Sequence, residues 1–129
     1  MTTINPGQIR PTFGNYSHGV LVPPGHRLLV TSGQLGATVE DAVPEGVAEQ
    51  AAICFANISA ILAEAGMSPA DVIRINAFVT DRADFRAYMA ARDAWLEGSG
   101  NIPASTLVIV TGFTRPEFKV EVEVTAAAP

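Results

Sequence analysis

The run "STLVIV" at Ser105–Val110 sets the strongest constraint on how this chain folds. Once Ser105 and Thr106 are passed, every residue is apolar, so a strand here has no wet face. A strand on a sheet with one solvated side alternates polar and apolar residues, whereas an unbroken apolar run marks a strand covered on both sides. The rest of the chain must therefore supply two covers.

The helices supply one. From Pro44 to Ala65 the apolar residues Val47, Ala51, Phe55, Ile58 and Leu62 recur every three or four positions, one face of a helix. Gly66 follows as its C-terminal cap, and "SPAD" at Ser68–Asp71 reads as one tight turn with a serine cap and Pro69 at its first position. Asp81 caps a second helix, with Asp84 in its first turn and Phe85, Tyr88, Met89, Trp95 and Leu96 as its apolar stripe. "GSGN" ends it.

Between the helices, "VIRINAFVT" at Val72–Thr80 reads as a strand. Strict alternation puts Ile73, Ile75, Ala77 and Val79 on one face and Val72, Arg74, Asn76, Phe78 and Thr80 on the other. "PPGHR" at Pro23–Arg27 is a turn between "YSHGVLV" and "RLLVTSG", which predicts a hairpin of two short strands. "GQLGATVEDAVPEG" is a loop. Two strands, Ser105–Thr111 and Phe118–Thr125, close the chain.

The order strand, strand, helix, strand, helix, strand, strand predicts one α+β domain over residues 1–129, a two-layer sandwich with both helices on one face of the sheet. No third layer is left to cover the other face of Ser105–Val110, so a second subunit is the expected cover. Composition agrees: 48% of the residues are hydrophobic and only 16% charged, a large apolar share for a domain of 129 residues.

The net charge of −5, with eight Lys plus Arg and no basic run, argues against nucleic acid or an anionic membrane as partner. The N-terminus lacks the layout of a signal peptide and no apolar run approaches a bilayer-spanning length, so the expected location is cytoplasmic. Cys54 is the only cysteine; among Ile53 and Phe55 it reads as a buried, inert thiol. No Cys/His cluster has metal spacing, and no metal or organic cofactor is expected.

Several stretches carry a family resemblance: "FGNYSHGV", "LLVTSGQLG", "VIRINAFVTD", "FRAYMAARDAWL", "IPASTLVIV" and "FKVEVEVTA". In this order they resemble the successive motifs of the RidA (YjgF/YER057c-like) reactive-intermediate deaminases. The resemblance implies a chorismate-mutase-like fold and a homotrimer with a barrel-like centre and helices outside. It implies ligand sites in the clefts between subunits. The implied activity is cofactor-free hydrolysis of 2-imino and enamine acids to 2-keto acids and ammonia.

It also implies roles. Tyr16 lines the cleft, Ser32 and Gly33 contact ligand at a strand end, and Glu121 orients the attacking water. Where deaminating members read P-A-R, with the arginine holding the substrate carboxylate, this chain has Pro103, Ala104 and Ser105. Leu107 stands where a cysteine is frequent, and Met89 where the second helix has an asparagine.

Each of these residues has a second reading. A serine donates one neutral hydrogen bond and brings no charge, so Ser105 points to a neutral ligand or an altered activity. Arg10 is either a substitute cation or a surface residue. Glu121 shares a strand face with Lys119 and Glu123, which also describes a solvated face with cross-strand pairs. Ser32 and Gly33 also fit a simple strand end, and Tyr16 a core aromatic. Two functions stand: a small imine or enamine deaminase, and a non-catalytic trimer that binds a small metabolite.

Overall fold

The computed structural model describes all of residues 1–129. Strands β1 (Thr2–Ile4) and β2 (Gly19–Leu21) form a small antiparallel pair. The main sheet contains β3 (Arg27–Val30), β4 (Gln34–Leu35), β5 (Val72–Val79), β6 (Ala104–Ile109) and β7 (Val120–Ala128). Its order is β3-β7-β5-β6, with β4 continuing the β3 edge along β7. Helices α1 (Val47–Glu64) and α2 (Phe85–Leu96) lie together on one face, giving the expected α+β sandwich.

The sheet is mixed because β5 and β6 run parallel while β7 is antiparallel to β3, β4 and β5. Parallel neighbours need a crossover, and α2 provides it between β5 and β6.

The apolar stripes meet as their periods dictate. From α1, Ala51, Phe55, Ile58 and Leu62 are buried against Ile75, Ala77 and Val79 of β5 and Val120, Val122 and Val124 of β7. Phe55 stacks on Trp95 with ring centroids 4.8 Å apart, and the indole N–H of Trp95 donates to Ser59 Oγ at 2.7 Å, which joins the helices. Helix α1 has a mean hydropathy of 1.3 over 18 residues, apolar enough by composition to cross a bilayer; here its stripe, Gln50 included, is buried against the sheet. Gly66 sits past the helix end at φ +70°, as a C-terminal cap requires. Ser68 and Asp71 form a reciprocal capping box around Pro69.

Several expectations need correction. The loop read over residues 33–46 contains strand β4, which pairs with β7, and the last strand runs Val120–Ala128 and not Phe118–Thr125. "YSHGVLV" and "RLLVTSG" do not pair: β2 pairs with β1, and β3 pairs with β7. Gly25 at φ +84° turns the chain, but the turn carries it from the small sheet to the large one. Joining β7 places Leu29 against the main core, which a free hairpin would not offer. The alternation assigned to residues 72–80 fails at its start. A bulge between Val72 and Arg74 puts Val72, fully buried opposite Ala126, on the core side and leaves Ile73 half-buried. Helix α1 also starts at Val47, later than Pro44.

The face of the sheet away from the helices is bare in the single chain. It carries Leu28 and Val30 of β3, 66% and 70% exposed, with Phe78 of β5 and Val108 of β6.

Candidate functional site

The site residues named from sequence fall into two groups on opposite sides of the sheet. Ser105 lies beside Ile75 and Leu107 beside Ala77 in the parallel pair, so both side chains share the helix side with those buried residues. Tyr16 is brought to them by the preceding loop. Ser17 donates its backbone N–H to Pro103 O at 3.0 Å and its hydroxyl to Ile102 O, extending the sheet edge past β6. Asn101 anchors the entry to β6 with bonds to Pro69 O (2.9 Å) and Val72 O (2.7 Å).

Tyr16, Ser105, Leu107, Phe85, Met89 and Arg92 line a cavity of about 410 Å³, with Phe13 and Gly14 at its side. The walls are mainly apolar. The Tyr16 hydroxyl accepts from Phe13 N at 3.2 Å, which leaves its own proton to donate. Arg10 does not line this cavity. Its guanidinium stacks on Phe13, 3.7 Å from the ring centroid, and its Nη1 donates to Pro11 O at 2.9 Å.

The second group is Ser32, Gly33 and Glu121. In β7, Val120 and Val122 point into the core, so Glu121 points to the bare face. Gly33 packs against it: a Cβ on Gly33 would stand 2.6 Å from Glu121 Cδ and 2.9 Å from Oε2. Ser32 is exposed on the same strand end.

The two glutamates of β7 differ in their neighbours. Glu123 lies opposite Asn76 and accepts from its Nδ2 at 3.4 Å, the cross-strand pair that a solvated polar face leads one to expect. Glu121 lies opposite Phe78 and receives no hydrogen bond from the chain. Desolvation, then the Glu123 charge, raise its carboxyl above the ordinary glutamate range.

Cys54 belongs to neither group. It is buried between α1 and β7, and burial pushes its thiol up to about 12, which makes it an inert core residue.

Sequence reasoning missed Arg92. It is 3% exposed on α2, and Phe85, Tyr88, Arg92 and Leu96 all fall on the buried or half-buried face. The signal was present: at helical spacing an arginine stood within the apolar stripe.

Comparison with known proteins agrees with this architecture. The family described as Endoribonuclease L-PSP matches residues 8–128. The 2-iminobutanoate/2-iminopropanoate deaminase of Escherichia coli K12 is 32% identical over 101 residues, 77% of this chain and 78% of that protein. The RutC family protein YoaB of the same organism is 34% identical over 79 residues, covering 61% and 68% of the two chains. The crystal structure of YyfB, a Rid family protein of unknown function from Yersinia pestis, superposes with a TM-score of 0.88 at 29% identity, over 98% of both chains. That of E. coli TdcF with bound serine superposes at 0.75 and 27% identity over the full length of both. Fold and sequence thus define a small α+β protein of the YjgF type. The chain belongs to the Rid (RidA/YjgF) family.

Proposed function

We propose that this protein hydrolyses a small imine or enamine to the keto compound and ammonia in clefts between subunits, with a substrate range set by Ser105 in the place that the resemblance gives to arginine. One observation carries the reading. Glu121 is a carboxylate without a polar cross-strand partner, held against the Gly33 strand end with its proton affinity raised. A carboxylate with raised proton affinity is a better acceptor for a proton from water than an ordinary glutamate.

The chemistry follows from that proton. Water adds to C2 of the C=N bond while Glu121 takes its proton. The same proton then passes to the nitrogen, giving a carbinolamine; Glu121 next takes the hydroxyl proton and delivers it to the amino nitrogen, so that the C–N bond breaks, the carbonyl forms and ammonia leaves. Tyr16 and Ser105 orient the substrate by hydrogen bonds, and the Gly33 amide donates to a substrate heteroatom.

The cavity and Glu121 lie on opposite sides of one sheet, so a complete site takes its halves from two copies of the chain. Burial of the bare face with Leu28, Val30 and Val108 favours such an assembly, and a homotrimer is the arrangement that the resemblance implies. The chemistry is tested with 2-iminobutanoate generated in situ by a threonine dehydratase and trapped with semicarbazide. The protein speeds 2-oxobutanoate formation and E121Q does not; equal rates with and without protein refute the reading. A metabolite-binding trimer without turnover is the second reading, favoured by the neutral Ser105 and recognised as ligand binding without ammonia release.

A further inference from the structure

The one charged group in the Tyr16–Ser105 cavity has an unused face. Arg92 is 3% exposed, and an arginine so buried has to be neutralised and hydrogen-bonded. Its Nε and Nη2 both donate to Asp93 Oδ1, at 3.1 and 3.0 Å. Neighbouring residues on a helix do not face each other, so Asp93 meets the guanidinium from the side, and it is itself 44% exposed. Water screens the aspartate more than the arginine.

A guanidinium has five N–H groups. Two go to Asp93, and the edge formed by Nη1 and the outer Nη2 hydrogen is not engaged in the chain. That edge has the geometry that grips a carboxylate through two parallel bonds. Nor does the neighbouring phenol use it: the Tyr88 hydroxyl, one turn earlier on the same helix face, is sealed without a hydrogen-bond partner. Arg92 lines one cavity only, and the walls there include Phe85, Met89 and Leu107, which leave its field little screened.

We propose that Arg92, from helix α2, is the carboxylate-binding residue of this cavity, so the ligand is a small carboxylate with an apolar tail, although position 105 is a serine. This reverses the neutral-ligand expectation drawn from Ser105. It rests on the reading above that the cavity is one half of the substrate cleft. Met89 and Gly14 close the cavity beside it, a Cβ on Gly14 standing 3.2 Å from Met89 Cε. Tyr16 and Ser105 hydrogen-bond the imine or keto group next to the carboxylate, nearer β6.

The test compares binding of 2-oxobutanoate and 2-oxobutanamide to the full chain by calorimetry. The wild type prefers the carboxylate by about tenfold or more, the preference falls with added salt, and R92Q loses it while R10A keeps it. Because R92Q changes a buried group, the wild type is also titrated by 15N-detected arginine side-chain NMR, where the Arg92 resonances shift on adding 2-oxobutanoate. The proposal is overturned if the wild type favours the amide or binds neither compound. It is equally overturned if R92Q keeps the preference, or if the Arg92 resonances do not move. Ammonia release from 2-iminobutanoate is followed on the same samples. A carboxylate preference through Arg92 without ammonia release overturns the deaminase reading alone. Ammonia release with the preference unchanged in R92Q overturns the Arg92 assignment alone.

Discussion

Gly33 and Glu121 are in direct contact across the β4–β7 edge: a methyl group on Gly33 would stand 2.6 Å from the carboxyl carbon of Glu121. The contact is with the far end of a flexible side chain, not with backbone. A substitution there displaces the carboxylate more than it disturbs the fold. G33A is therefore expected to keep its melting temperature within a few degrees of wild type. Turnover of the imine should fall by roughly a hundredfold, the scale of a misplaced catalytic group. Calorimetry and the semicarbazide assay together check this; loss of stability without selective loss of turnover would contradict it.

The raised carboxyl of Glu121 has a signed consequence for stability. Its native pKa exceeds the unfolded one, so the native state binds the proton more tightly. Its contribution is favourable below the unfolded glutamate pKa of about 4.3 and is lost as pH rises through the native value. E121Q should thus melt above wild type at neutral pH, with the gap narrowing as the carboxyl is protonated. Thermal melts from pH 4 to 8 read this directly, and a gap that widens on acidification contradicts the sign.

Gln50 is a polar keystone. Fully buried, it donates through Nε2 to Pro44 O (2.8 Å) and Glu117 O (2.9 Å), and accepts from Lys119 N at 2.8 Å. Its backbone also leaves no room beside Gly36, where a Cβ would stand 2.6 Å from Gln50 Cα. Q50L strands three backbone groups at once and is expected to cost about 3 kcal/mol or more, measured by urea unfolding. Q50E, which keeps the acceptor but loses the donors and buries a charge, should cost at least as much.

Cys54 should behave as an inert thiol. With its pKa pushed up to about 12 and its side chain buried, it should not react with a disulfide reagent at pH 8 in the native state, while one thiol per chain reacts in guanidinium. Rapid native labelling would show that the α1–β7 interface opens.

The bare sheet face predicts an association equilibrium. V30E and V108E each place a charge on that face away from the helix core. Both should shift sedimentation toward the monomer and reduce turnover together, whereas a stable wild-type monomer at micromolar concentration would remove the two-copy site.

What the sequence determined by itself was the part governed by local period and caps. The α1 stripe, the Gly66 stop, the Ser68 cap and the Asp81 cap follow from spacing and side-chain chemistry within a few residues, although Asp81, whose Oδ1 accepts from Ala83 N, caps the 3-10 turn Arg82–Asp84, and Asp84 stands at the N-cap of α2 and not in its first turn. Alternation also marked β5 and β7, an unbroken apolar run marked β6, and the motifs in their order marked the family. Tertiary structure alone decided the partners. The choice of β7 over β2 as the neighbour of β3 depends on which pairing buries Leu29, and the bulge after Val72 depends on its register with Ala126. The same holds for the site. Sequence gave Glu121 and Glu123 one face, but only packing set one against Asn76 and the other against Phe78 and Gly33, so that desolvation falls on Glu121. An arginine in a helical stripe was legible at position 92. That Arg92 shares a cavity with Ser105 came from the crossover of α2 over β6, a long-range arrangement that no local spacing encodes.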